Sequence, residues 1–252
     1  MVDAGSAGFA DAGLNTRIFF ASFQDGGLPP ISVLGRSQVA ADSLEVVTAP
    51  WDANRKALKV LVRIGEMWNG NNYPRSEVYP YVGNPSFTKF QFGTRYRITS
   101  AFWFEPNTIF PTSSVNHPGT GEVVIFQMHG SDAVSPVFAF QVNAGELQLG
   151  FLPDPTAQWQ THSYGPCPVG QRIPIEVIFQ PSISSDGYVK VTIGTQVVFE
   201  FSGPNHAGPR VNNDAGGFWV QGIYDYWRSV GALPGTADDS LTIYQDDISV
   251  YR

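Results

Sequence analysis

The sequence predicts an all-β fold of two packed sheets, and three observations carry that expectation. Hydrophobic residues make up 42% of the 252 positions and aromatics 13%, enough for one large core. Charged residues are only 15%, against 26 glycines and 19 prolines, so turns are frequent and the surface is lightly charged. The apolar residues fall in short runs of period two, with no segment of helical period, no internal repeat and no low-complexity tract. Sandwiches of this length are commonly one domain, so residues 17–252 are read as a single body behind a flexible arm at 1–16.

Taken in order, residues 17–23 form the first strand, closed by Asp25-Gly26-Gly27. A second candidate spans 44–48, with a turn around Trp51-Asp52-Ala53-Asn54. Residues 59–64 alternate strongly, and a polar loop at 68–74 delivers the chain into Arg75-Ser76-Glu77-Val78-Tyr79-Pro80. Period two puts Arg75, Glu77 and Tyr79 on one face of that strand and Ser76 and Val78 on the other. In the next run, 95–104, Tyr96, Ile98, Phe102 and Phe104 are expected in the core. A long loop at 106–121, holding His117, is of the length that often forms a wall or lid.

Residues 123–129, stopped by Gly130, are β-branched and aromatic. Alternation sends Phe126 and Met128 one way, and Ile125, Gln127 and His129 the other. Two positions along a strand advance roughly 6.5–7 Å, so an amide and an imidazole at that spacing can reach one sugar ring. Pro136–Asn143 and Glu146–Phe151 flank Asn143-Ala144-Gly145, a hairpin signal. Residues 153–169 read as a second loop, with Trp159, His162 and Tyr164. Strand 173–179 contains Pro174, tolerable at an edge or a bulge. A hairpin across Gly194-Thr195 joins 188–193 to 196–201. A third loop, 203–216, carries His206 and Arg210. Residues 218–226 and 241–251 supply the last two strands. Ten to fourteen strands with long loops give a two-sheet β-jelly-roll sandwich whose inner sheet presents a concave groove.

The formal net charge of −7 argues against a nucleic-acid surface. It leaves an acidic polysaccharide open, because local arginines bind carboxylates within an acidic protein. Cys167 is the only cysteine, so no intrachain disulfide forms, and a lone loop cysteine reads as inert packing. No run is long and apolar enough to span a bilayer. Residues 1–15 carry no positive and apolar leader pattern. The expectation is a secreted monomer whose export signal is not part of this sequence.

Three strand-borne polar sets stand out: Arg75 with Glu77, Gln127 with His129, and Tyr224 after Gly222. Arg-Ser-Glu, then Gln-x-His, then an aromatic pair leading to Gly-x-Tyr resembles, in this order, the jelly-roll polysaccharide lyases of alginate, glucuronan and small heparin type. The resemblance implies an enzyme that cuts an anionic, uronate-containing polysaccharide by β-elimination. By position, Arg75 and Gln127 match the groups that neutralise the sugar carboxylate. His129 matches the histidine base, Tyr224 the catalytic tyrosine, and Glu77 the acid that holds the arginine. Val220 stands where alginate lyases usually have lysine, and Gln221 where they have a small residue, which leaves a glucuronan-type substrate open.

These residue types suit that chemistry. Removing the C5 proton beside a carboxylate is hard until charge-assisted donors hold that carboxylate. Arginine keeps its charge and an amide donates as well. A histidine, with an ordinary pKa of about 6.5, accepts a proton near neutrality. A tyrosine protonates the leaving C4 oxygen, or acts as base where a neighbouring cation favours its phenolate. With C5 hydrogen and C4 oxygen on one side, as in glucuronate, Tyr224 alone can serve both steps. On opposite sides, as in guluronate, His129 would be base and Tyr224 acid.

Tyr73, Tyr79, Trp159, Tyr226 and Arg228 are further candidates for contact with the polymer. The mechanism requires no cofactor. A structural calcium on Asp247, next to Asp246, is a separate expectation. Two other functions compete: a non-catalytic carbohydrate-binding module or lectin-like sandwich, and a glycoside hydrolase on a similar fold. A retaining hydrolase needs two carboxylates about 5–5.5 Å apart, and no Glu-x-Asp-x-x-Glu motif is present.

Overall fold

Period-two alternation with frequent turns builds sixteen antiparallel strands among the described residues of the computed structural model. It describes residues 13–37, 40–63, 75–80, 87, 89–110, 122–129, 136–152, 159–205, 218–225 and 240–252. The strands are β1 (Arg17–Ala21), β2 (Leu34–Ser37), β3 (Leu44–Ala49), β4 (Asp52–Arg63), β5 (Arg75–Pro80), β6 (Tyr96–Phe104), β7 (Glu122–His129) and β8 (Pro136–Asn143). They continue as β9 (Glu146–Phe151), β10 (Gln160–Pro166), β11 (Arg172–Gln180), β12 (Tyr188–Ile193), β13 (Gln196–Ser202), β14 (Phe218–Asp225), β15 (Ser240–Gln245) and β16 (Ile248–Tyr251). Among the described residues there is no helix.

One sheet runs β13-β12-β11-β6-β15-β4-β3, with β16 also on β6 and β1 on β16. The other runs β10-β9-β8-β7-β14-β5-β2. A single core fills the space between the two sheets. Tyr96, Ile98, Phe102 and Phe104 enter it from β6, as alternation predicts. Aromatic contacts bridge the layers: Phe19 meets Trp219 edge-on at 5.8 Å between ring centroids, and Phe138 meets Phe179 at 6.0 Å. Cys167 is buried in this core and burial pushes its thiol up to about 12, which fits an inert packing role.

Several expectations change. The packed body begins before residue 17, since Leu14 is buried against Ile178 and Tyr188 and Thr16 exchanges backbone hydrogen bonds with Arg252. The turn near Trp51 is tighter than expected, because β4 already starts at Asp52. Strand β2 has only four residues and no clear alternation to announce it. Strand β10 lies in the supposed loop 153–169; as an exposed edge strand it carries no apolar pattern. The closing strand is two strands: β15 pairs with β4 and β6, β16 with β6 and β1, and Asp246-Asp247 separate them. Pro174 is in β11, an internal strand between β6 and β12. It is tolerated because its carbonyl accepts from Gly194 in the turn that ends β12, so its missing donor faces the same side, beyond the ladder.

Candidate active site

The face of the β7-β14-β5 sheet that turns away from the core gathers the three polar sets. Strand β14 pairs with β5 through Tyr224 opposite Arg75 and Gly222 opposite Glu77. Its other edge pairs with β7 through Phe218 opposite His129 and Val220 opposite Gln127. Directly paired residues share a face. Arg75, Glu77, Gln127, His129, Val220, Gly222 and Tyr224 therefore all belong to one surface. Residues of opposite parity, Ser76, Val78, Met128, Trp219 and Ile223, are buried on the other side.

One face assignment is corrected. Ile125 is in the core, beside Phe126, rather than with Gln127 and His129. The ladders slip there: Val124 and Phe126 of β7 face the adjacent Gln141 and Phe140 of β8, so one extra residue bulges. Across the bulge Val124, opposite Tyr224, takes the outer face.

Gly222 is required by this close packing. Its φ is +150°, and a Cβ there would stand 2.2 Å from the Ser76 carbonyl oxygen and 2.6 Å from the Glu77 Cα. A side chain at 222 would push β5 away from β14 and pull Arg75 from Tyr224.

Glu77 ties the site together. Its Oε2 accepts from Arg75 Nε at 2.9 Å, and its Oε1 accepts from Gln127 Nε2 at 2.8 Å. Glu77 is 2% exposed and Gln127 3%, while the Arg75 side chain keeps 25% of its surface. Burial raises the Glu77 carboxyl to about 7, and Arg75 and then Gln127 only partly offset that rise. The carboxylate lies beneath the outer face and holds both donors. On the far side of Arg75, its guanidinium carbon lies 4.0 Å from the centre of the Tyr224 ring. His129 is half-buried at the end of β7, one position along the same face from Gln127.

Two other expected residues are on this face. Tyr79 lies against Gly35, and Trp159 against Gly150. Tyr73, Tyr226 and Arg228 fall outside the described residues, as do His117, His206 and Arg210. His162 sits elsewhere, on β10, with its ring 5.3 Å from that of Phe199. Gln221, expected as a departure within the site motif, faces the core instead and donates from Nε2 to Ser100 Oγ at 3.1 Å and to Gln245 Oε1 at 3.2 Å. Its parity relative to Trp219 and Ile223 was the available signal.

Asp246 and Asp247 do not fit a calcium site. Asp246 accepts from Arg55 Nη2 at 2.9 Å and from Arg172 Nη2 at 2.6 Å and Nε at 3.1 Å. Asp247 Oδ1 accepts from the Phe23 N–H and from Gln24 Nε2, and Arg55 lies 3.6 Å from its Oδ2. Two arginines already balance two carboxylates. Among the described residues no three His, Cys, Asp or Glu side chains converge as a metal-ligand set, and no helix is long and apolar enough to cross a membrane.

No family model and no curated protein matches the sequence. Solved structures do match. An endo-β-1,4-glucuronan lyase from the fungus Trichoderma reesei superposes with a TM-score of 0.67 at 17% identity, over 94% of this chain and 95% of that one. An alginate lyase from Corynebacterium sp. gives 0.57 at 16% identity, over 87% and 94%. A carbohydrate esterase from the Shiga toxin-encoding bacteriophage phi24B gives 0.56 at 13%, over 94% and 98%. Since a lyase and an esterase superpose alike, chemistry has to be argued from side chains. At such identities the likeness is one of fold, and the fold is the two-sheet β-jelly-roll sandwich that these structures share.

Proposed function

We propose that this chain is a lyase that cleaves a uronate-containing anionic polysaccharide by β-elimination and leaves 4,5-unsaturated uronate ends. The observation that carries the reading is the linked set Arg75-Glu77-Gln127, with Tyr224 beneath the guanidinium, on an outward sheet face. Such a set is a carboxylate receptor next to a proton-transfer group. Glu77 takes one N–H of the Gln127 amide, and the other is assigned to the sugar carboxylate along with the Arg75 guanidinium. Both donors are held before substrate arrives, so little reorganisation accompanies the build-up of charge at C5.

The proton balance is simple. A base takes the C5 proton, the C4–C5 double bond forms, the C4–O bond breaks, and an acid protonates the departing oxygen. Tyr224 is assigned the acid step. The Arg75 guanidinium lies over its ring, and on a glucuronate-like sugar Tyr224 is assigned the base step as well. His129 is assigned the base step where the C5 hydrogen lies on the opposite side, and otherwise contact with the carboxylate. Val220 places an apolar group beside Gln127 where a lysine would add a second cation. Together with the likeness to a glucuronan lyase, this favours a glucuronan-like polymer over alginate.

A hydrolase reading has less support, because the buried Glu77 has both oxygens committed to Arg75 and Gln127. A lectin-like reading leaves the alignment of Arg75, Gln127 and Tyr224 without a task. The test is to incubate the protein with glucuronan, alginate and glycosaminoglycans and follow ultraviolet absorbance of the unsaturated end. Tyr224→Phe is expected to lower turnover by about 10²-fold or more with the fold intact, and His129→Ala to lower it as well. Reducing ends without the chromophore would indicate hydrolysis, and absence of both would overturn the enzyme reading. Full activity in Tyr224→Phe would remove the assigned acid.

A further inference from the structure

Two glycines on the outward face hold aromatic rings where side chains would otherwise stand. A Cβ on Gly150 would lie 2.1 Å from Cζ2, 2.3 Å from Cε2 and 2.4 Å from Nε1 of Trp159. Those distances are overlaps, so the indole occupies the side-chain position of residue 150. Leu149 and Phe151 enter the core, so Gly150 presents the opposite face, and the indole lies there too. Gly150 pairs with Ala139, and Ala139 pairs with Gln127. Trp159 is thus two inter-strand spacings, about 10 Å, from the amide of the proposed carboxylate receptor. It is 36% exposed, so part of the indole is open to solvent.

The other end of the sheet repeats the device. A Cβ on Gly35 would lie 2.3 Å from Cε2, 2.8 Å from Cδ2 and 2.9 Å from Cζ of Tyr79, its cross-strand partner. Strands β2 and β9 are five spacings apart in the sheet, about 24 Å. Gln127 and Tyr224 lie between them. That span exceeds one sugar ring several times over.

We infer that Trp159 and Tyr79 are two sugar-stacking platforms, one on each side of the reacting bond, that hold pyranose rings of an internal stretch of the polymer. The inference rests on the lyase reading for its substrate class. Its physical basis is the apolar C–H face of a pyranose, which packs on an aromatic ring and needs no charge there. The missing Cβ at 150 and 35 lowers each ring toward the sheet, so that a sugar chain crossing the strands meets ring and receptor at one depth. Stacking remote from the reacting carbon binds ground state and transition state alike, so its loss appears mainly in KM.

The test uses the full chain with glucuronan and alginate polymers and with the short oligouronates from their exhaustive digestion. Affinity electrophoresis through polymer-containing gels reads binding, and ultraviolet absorbance reads turnover. Trp159→Ala is expected to raise KM for polymer about tenfold, to change KM for the short products far less, and to lose retardation in the gel. Gly150→Ala, which retains the tryptophan but displaces it, is expected to reproduce that pattern, and the double variant to add nothing further. Should Gly150→Ala fail to fold, Trp159→Ala at its exposed position decides alone. Wild-type KM and retardation in Trp159→Ala would overturn the platform while leaving the lyase reading intact. Wild-type protein that makes no unsaturated ends yet shows Trp159-dependent retardation would sink the lyase reading and keep the platform.

Discussion

Glu77 shows how one buried carboxylate serves a site at a cost to the fold. Its folded value of about 7 lies above the ordinary 4.5 because burial outweighs Arg75 at 2.9 Å. Between those two pH values the folded chain keeps a proton that the unfolded chain has released. Stability from this group is therefore fullest below pH 4.5, falls as pH rises, and levels off above 7. Relative to Glu77→Gln, the native protein is expected to lose about 3 kcal/mol from pH 4.5 to pH 8, measured by denaturant unfolding at both. A change of opposite sign would mean that attraction to Arg75 exceeds desolvation. The same variant should be less active at pH 8, since an amide holds a guanidinium more weakly than a carboxylate does.

At the scale of elements, the β8-β9 hairpin is well placed but imperfectly made. Ala144 has φ +51° and Gly145 +83°, a type I′ turn, and alanine is a poor occupant of the first position. Ala144→Asn is expected to stabilise the protein by about 0.5–1 kcal/mol, read from the shift in denaturant midpoint. This hairpin was legible because glycine and strict alternation agree on it; β5 and β9 were legible for the same reason. The Arg75, Glu77 and Tyr79 face followed from period two alone. Ile125 was misread because a bulge breaks that period, and a bulge is set by pairing between strands distant in sequence. Strand β10 was missed because, at an edge, it buries almost nothing. The contact between Arg75 and Tyr224 needs the β14-β5 register, which no local pattern contains.

Over the whole molecule, the described residues join the two sheets largely by hydrocarbon, with a polar link at Gln221. Gln221 from one sheet meets Ser100 and Gln245 from the other, and both glutamines are fully buried. Gln221 Oε1 and Gln245 Nε2 have no hydrogen-bond partner. A single Gln245→Leu exchange should destabilise by about 1–3 kcal/mol, because it strands more of the Gln221 amide. Adding Gln221→Leu should recover most of that loss, since two apolar groups replace a half-satisfied pair. Urea unfolding of the two single variants and the double gives the coupling energy. A double variant as unstable as the sum of the singles would show that the amides do not act as a unit.

Strand β15 lies between β4 and β6, and β16 closes β1 against β6. The middle of that sheet is thus filled by strands far downstream of β4 and β6 in the sequence. Until β15 and β16 dock, β4 and β6 each expose an unpaired strand edge. Closing this sheet therefore waits on pairing between strands far apart in the sequence, which makes it a late, slow step of folding.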